Sequence, residues 1–176
     1  MADRRGLRVL TGVAVLGVAA LAAFLGLRQR AGGMAPDFVV PDLAGRAVRL
    51  SALRGRVVLV NLWTTWCPPC REEMPSMERL YEKMKDRDFQ LLAVSQDEDP
   101  QKVVEAFAHE LQLTFPVLVD PDHQVGDHFG VWGYPETFLI DREGRLAERI
   151  IGPRDWASPE SVAKIEALLA VPSGGG

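Results

Sequence analysis

Two cysteines, Cys67 and Cys70, are the only ones in the 176-residue chain, and they are two residues apart. At this spacing one thiolate can attack a substrate disulfide and the second thiol can resolve the mixed disulfide. The run 57–62 is short, apolar and β-branched, which predicts a buried strand, and the run 71–86 has apolar residues at helical spacing. The pair is therefore predicted at a helix N-terminus, where free N–H groups and the helix dipole favour a thiolate.

The position of each cysteine predicts its role. Cys67 precedes the helix and is predicted to be the attacking thiol, whereas Cys70 is one turn in, more buried, and predicted to resolve. The alternatives are a structural disulfide or half of a zinc site. Zinc needs four ligands, and His109, His123 and His128 are all distant from the cysteines in sequence, so we expect no metal.

The surrounding sequence resembles a known family. The stretch from Val60 to Pro75, which contains Trp-Cys-Pro-Pro-Cys, and the later Gly-Tyr-Pro-Glu-Thr at 133–137 resemble the TlpA/ResA/CcmG group of membrane-anchored thiol-disulfide oxidoreductases in the thioredoxin superfamily. The resemblance extends from about Ala35 to about Trp156. It implies a Cys67–Cys70 disulfide and a thioredoxin-like α/β fold: a central mixed sheet with helices on both faces, an N-terminal β-hairpin and a central helical insertion.

The residues between the cysteines, Pro68 and Pro69, are predicted to tune the redox chemistry. Proline has no N–H, so neither middle residue can donate a hydrogen bond to the Cys67 thiolate. Since stabilising the reduced thiolate makes a strong oxidant, this motif is predicted to favour a reductant.

Two further residues near the cysteines are candidates for tuning. Glu73 matches the active-site carboxylate of ResA-like proteins, and the resemblance implies that it adjusts cysteine ionisation. Alternatively, the negative charges of Glu72 and Glu73 simply complement the positive end of the helix dipole. This second interpretation is favoured for Glu72, and for Glu73 the two interpretations are equally supported. Trp66 is predicted to line the surroundings of the thiol, or else to be a packed aromatic.

The segment Tyr134-Pro135 is predicted to be the second half of the site. Thioredoxin-like proteins place a cis-proline opposite the cysteines, and Pro135 falls just before the predicted strand 137–140, as the resemblance requires. The peptide edge at Tyr134 is then predicted to pair with a substrate backbone by strand addition. Glu136 either attracts a basic partner or is a solvated acid.

The N-terminal run Val9–Leu27 contains a single polar residue, Thr11, and is long enough to span a bilayer. It predicts a cytoplasmic N-terminus at 1–8, a transmembrane signal-anchor at 9–27, a tether at 28–36, a thioredoxin-like domain at 37–171 and a flexible tail at 172–176. A cleaved signal peptide is the competing interpretation. Either one places the domain outside the cytoplasm, and the anchor places it at the inner membrane, facing the periplasm or the cell exterior.

Charge narrows the classes of partner. Residues 1–30 hold five arginines and one aspartate, a net charge of +4. Since the whole chain has a formal net charge of −4, the remaining residues carry −8. An acidic domain argues against nucleic acid.

The predicted function is an extracytoplasmic reductase of protein disulfides, such as the haem-site cysteines of apocytochrome c. Electrons would come from a membrane thiol carrier, and no cofactor is expected. One alternative is a peroxiredoxin-type thiol peroxidase, but Val60 occupies the proline position of that motif, although Thr64 is present. The other is a copper- or thiol-binding module for oxidase assembly.

Overall fold

The computed structural model describes residues 32–172. The predicted cytoplasmic N-terminus at 1–8, the predicted membrane span at 9–27, the first four residues of the tether and most of the tail are outside this range. Within 32–172, no helix is both long enough and apolar enough to cross a bilayer.

The described residues form seven strands and four α-helices. The strands are β1 (Val39–Pro41), β2 (Ala47–Arg49), β3 (Val57–Trp63), β4 (Phe89–Ser95), β5 (Val117–Val119), β6 (Glu136–Ile140) and β7 (Leu146–Ile151). The helices are α1 (Pro68–Met84), α2 (Pro100–Glu110), α3 (Gln124–Phe129) and α4 (Pro159–Ala170), with a 3-10 helix at Leu50–Leu53.

Five strands form one mixed sheet in the order β5-β4-β3-β6-β7. The central strand β3 is parallel to β4 and antiparallel to β6, while β1 and β2 form a separate antiparallel hairpin. The alternation of strands and helices requires the parallel portion, and the β6–β7 hairpin adds the antiparallel edge. The predicted mixed sheet and N-terminal hairpin are confirmed.

Both faces of the sheet are covered, which explains why β3 is an almost continuous apolar run. Leu59 and Trp63 face the cluster that holds Met74 and Met77 of α1, together with apolar residues of α2 and α4. The alternate residues of β3 face a second cluster, which contains Phe38 from near the hairpin and residues of α3. The prediction of helices on both faces is therefore confirmed.

Strand β3 positions the redox motif. All seven of its residues are buried, it ends at Trp63, and a short loop leads directly into α1. The cysteines are thus attached to the centre of the sheet.

Candidate active site

Cys67 is the N-cap of α1, and it is joined to Cys70 by a disulfide with a Cα–Cα distance of 5.3 Å. Cys67 is 5% exposed and Cys70 is 0% exposed, so Cys67 is the more accessible of the two. Pro68 and Pro69 occupy the first two helical positions, and the Cys70 N–H lies 3.2 Å from Cys67 Sγ. The first turn therefore offers Cys67 a single amide donor at an N-cap hydrogen-bonding position.

A buried carboxylate holds the loop that carries Cys67. Asp97 accepts hydrogen bonds from the Thr65 backbone N–H at 3.0 Å, the Thr65 hydroxyl at 2.7 Å and the Ser95 hydroxyl at 2.8 Å. Asp97 follows β4, the parallel neighbour of β3, so the ends of the two strands are tied together. Asp97 was not predicted from the sequence, because the acidic stretch at 97–99 is typical of a solvent-exposed turn.

The Tyr134–Pro135 peptide bond is cis, as predicted. The Tyr134 ring packs edge-on against Trp66, with ring centroids 6.0 Å apart, so the proline loop contacts the neighbour of Cys67. Burial raises the pKa of the Tyr134 phenol, and the negative charges of Asp120, Asp97 and Asp127 add to this effect.

Two tryptophans are exposed around this contact. Trp66 is 70% exposed, and Trp132, two residues before Tyr134, is 95% exposed. Large aromatic side chains are costly to leave in water, and aromatic residues are enriched in protein interfaces. Together with Tyr134, the two tryptophans define what we call the aromatic rim. Trp132 was not singled out from the sequence.

Glu73 is buried, at 3% exposure, between α1 and the sheet. Its Oε1 accepts a hydrogen bond from Asn61 Nδ2 at 2.8 Å, and its Oε2 accepts from Trp156 Nε1 at 3.0 Å and from the Arg154 backbone N–H at 3.1 Å. Burial raises the pKa of Glu73 to about 7, against the opposing effect of these hydrogen bonds.

The partners of Glu73 come from β3 and from the loop after β7, and none comes from the first turn of α1. The hydrogen bonds of Glu73 therefore link α1 to the sheet and to the loop after β7. Glu72, by contrast, is exposed. Glu73 also lines a surface cleft of about 340 Å³ with Ser76, Arg154 and Asp155.

Two of the residues that hold Glu73 were not predicted. Asn61 could have been found, because an amide in the middle of an apolar strand needs a buried polar partner. Trp156 is separated from Glu73 by a long stretch of sequence and no local pattern indicates their contact.

The environment of Glu136 matches neither of the two predictions made for it. Glu136 is 2% exposed and forms an ion pair with Arg149 of β7, whose guanidinium also donates to the Gly130 carbonyl at 2.7 Å. It is thus neither a solvated acid nor a free charge for a basic partner. Within residues 32–172, no three His, Cys, Asp or Glu side chains lie together as a metal site would require.

A disulfide that begins a helix after the central strand of a mixed five-stranded sheet, together with a cis-proline loop, defines a thioredoxin-like thiol-disulfide oxidoreductase. The chain belongs to the AhpC/TSA family, whose sequence profile matches residues 31–149.

Individual relatives narrow this class. The chain is 46% identical over 121 residues to the thiol-disulfide oxidoreductase ResA of Geobacillus thermodenitrificans, covering 69% of each protein. It is 38% identical over 137 residues to ResA of Bacillus anthracis, covering 78% of this chain and 79% of the relative. A putative thiol:disulfide interchange protein DsbE from Chlorobium tepidum has a similar structure, with a TM-score of 0.73 and 35% identity, covering 79% of this chain and 97% of that one. The chain is therefore a ResA-like thiol-disulfide oxidoreductase.

Proposed function

We propose that the protein reduces disulfides in other proteins, with Cys67 as the attacking thiol and Cys70 as the resolving thiol. The Cys67 thiolate attacks one sulfur of the substrate disulfide, whose S–S bond breaks and releases a substrate thiolate. Cys70 then attacks Cys67 Sγ, the mixed disulfide breaks, and the second substrate thiolate leaves. The substrate gains two electrons and the enzyme is left with its Cys67–Cys70 disulfide.

The observation that carries this proposal is the placement of the pair. Cys67 is the N-cap of α1 and the more exposed of the two sulfurs, and its neighbour Trp66 contacts the cis-proline loop. A helix N-terminus favours the thiolate that must attack.

Glu73 is proposed as the proton acceptor for Cys70. It lies three residues after Cys70 on the same helix, so the two side chains fall on one face of α1. A carboxyl group with a pKa of about 7 can accept a proton and release it again near neutral pH. The cleft beside Ser76 and Arg154 would carry the proton to solvent.

The aromatic rim is proposed as the surface that receives the substrate protein. The Tyr134 backbone, directly before Pro135, would be the edge to which an extended substrate segment adds as a strand. Trp66 and Trp132 would then pack against substrate side chains on either side of that segment.

We further propose an extracytoplasmic location at the inner membrane. The support comes from the sequence: the apolar run at 9–27 serves as an anchor, with 1–8 in the cytoplasm, 28–36 as a tether and 37–171 as the catalytic domain. In this setting the natural substrates would include apocytochrome c haem-site cysteines or cysteines of copper-delivery proteins. A membrane thiol carrier would supply the electrons.

The test is insulin and apocytochrome c disulfide reduction by the full-length protein, beside a peroxide-consumption assay. We expect reduction without peroxide consumption, loss of reduction in Cys67→Ser, and an accumulating mixed disulfide in Cys70→Ser. Peroxide consumption that exceeds disulfide reduction would instead establish the thiol peroxidase. Trapping with Cys70→Ser in native membranes, followed by identification of the partner, names the substrate.

A further inference from the structure

The two oxygens of Glu73 have different surroundings. Oε2 accepts from the Trp156 indole N–H and from the Arg154 backbone N–H, and neither of these donors can accept a proton. Oε1 accepts from Asn61 Nδ2, which belongs to an amide that also has an acceptor oxygen. Of these three partners, only the Asn61 side chain can therefore accept a hydrogen bond from Glu73 once Glu73 is protonated.

Asn61 has the free acceptor that such a response needs. Its Oδ1 is buried and has no hydrogen-bond partner among the described residues, while its Nδ2 donates to both Glu73 and Thr137 Oγ1, the latter at 2.9 Å. A half-turn of the amide brings Oδ1 to Glu73, where it accepts the O–H of the neutral acid. The Thr137 hydroxyl, which rotates freely, then donates to the same oxygen.

The position of Trp156 is fixed by burial and by a hydrogen bond to α1. Trp156 is 1% exposed, and Ser76 Oγ on α1 accepts its backbone N–H at 3.0 Å. The Ser76 hydroxyl in turn donates to the Glu73 carbonyl at 2.7 Å. The loop after β7 is thus tied to the same turn of α1 that carries Glu73.

We propose that Trp156 is a positioning residue of the redox site, which holds Glu73 Oε2 and leaves Oε1, beside Asn61, as the oxygen that takes and releases the proton. This inference rests on the proposed role of Glu73. Trp156 acts only through Glu73 and contacts no reacting sulfur in the described contacts.

Other charged groups around Glu73 do not replace this arrangement. The Arg154 guanidinium lies over the Trp156 ring, at 5.9 Å from its centroid, and 3.9 Å from Glu160, so only its backbone N–H contacts Glu73. The sheet contributes the uncharged Asn61 and Thr137. The other charged groups that line the cleft beside Glu73 are Glu72 and Arg79 of α1 and Asp155 of the loop, and Cys70 lies three residues before Glu73 on α1.

The test is a carboxyl-carbon NMR titration of the full-length protein in its oxidised form, in which the disulfide removes both cysteine titrations. Glu73→Gln identifies the Glu73 signal by its loss. Trp156→Phe keeps an aromatic ring and removes an N–H that stabilises the carboxylate more than the neutral acid, so we expect the Glu73 inflection to rise by about one pH unit. Asn61→Leu removes a hydrogen-bond partner from both the charged and the neutral form of Glu73. The Glu73 inflection should therefore move less in Asn61→Leu than in Trp156→Phe.

An unchanged Glu73 inflection in folded Trp156→Phe overturns the inference, and a larger shift in Asn61→Leu than in Trp156→Phe overturns the assignment of the two oxygens. If Trp156→Phe does not fold, Ser76→Ala loosens the same loop, and it must also raise the inflection. The titration uses no substrate, so failure of wild-type insulin reduction with a normal titration series counts against the proposed function alone.

Discussion

Trp66 and Tyr134 pack edge-on with ring centroids 6.0 Å apart, although they belong to segments separated by two strands and three helices. Trp66 directly precedes Cys67, and Tyr134 directly precedes the cis-proline Pro135. The contact therefore joins the two loops between which a substrate disulfide would enter.

The aromatic rim is expected to determine substrate affinity. Trp132→Ala should raise the KM for a disulfide-bonded protein substrate by about tenfold with little change in kcat, because an exposed aromatic anchor contributes to binding rather than to chemistry. Steady-state kinetics of insulin reduction measure this. Val39→Ala, which truncates another exposed apolar residue, on the hairpin, is the matched control and should leave KM unchanged. Equal effects of the two variants would remove Trp132 from the substrate surface.

Glu73 is expected to make stability depend on pH. Its pKa is about 7 in the folded chain and has an ordinary value of 4.5, so the folded state binds the proton more tightly. The resulting stabilisation is fully present below pH 4.5 and is lost as pH rises through 7, a change of roughly 3 kcal/mol. Urea unfolding at several pH values should show this decline in the wild type and a flatter profile in Glu73→Gln. A decline of equal size in both proteins would assign the pH dependence to other groups.

Pro69 and Pro68 are expected to differ in their effect on the redox potential. Pro69 is the second helical residue, where an N–H can reach the N-cap sulfur, whereas Pro68 is the first and its N–H would not. Pro69→Ala should therefore stabilise the Cys67 thiolate and raise the reduction potential by about 30 mV or more. Equilibration with glutathione buffers measures the potential, and Pro68→Ala is the control. The same shift in both variants would contradict the capping argument.

Asp97 is expected to stabilise the loop that carries Cys67. Asp97→Ala removes two hydrogen bonds from the half-buried Thr65 and one from the buried Ser95, so the free energy of unfolding should fall by about 2 kcal/mol or more. Denaturant unfolding measures the loss. Glu98→Ala, at an exposed neighbouring position, should have an effect below about 0.5 kcal/mol. If the two variants are equally stable, the Thr65 contacts do not contribute to folding.

The sequence predicted the fold because its signals are local. The apolar run of β3, the helical spacing of α1 and the order of strands and helices all follow from periodicity over short windows. A serine before a helix is also a local signal, and the Ser158 side chain accepts the Ser161 N–H at the start of α4. The cis bond before Pro135 was predicted from its resemblance to thioredoxin-like proteins.

The surroundings of Glu73 could not be predicted in the same way. Its burial depends on Trp156 and Arg154, which reach it from the other end of the domain. Glu136 was misinterpreted for the same reason, since its cation, Arg149, comes from the neighbouring strand. Pairings set by sheet register leave no mark in a short sequence window.

The complete burial of β3 is expected to make its backbone hydrogen bonds slow to open. All seven residues of β3 are buried, and the strand lies between β4 and β6 in the sheet. Its amide hydrogens should therefore exchange with deuterium only through global unfolding. We therefore expect the strand that leads into the sulfur pair to stay closed while Cys67 and Cys70 are oxidised and reduced.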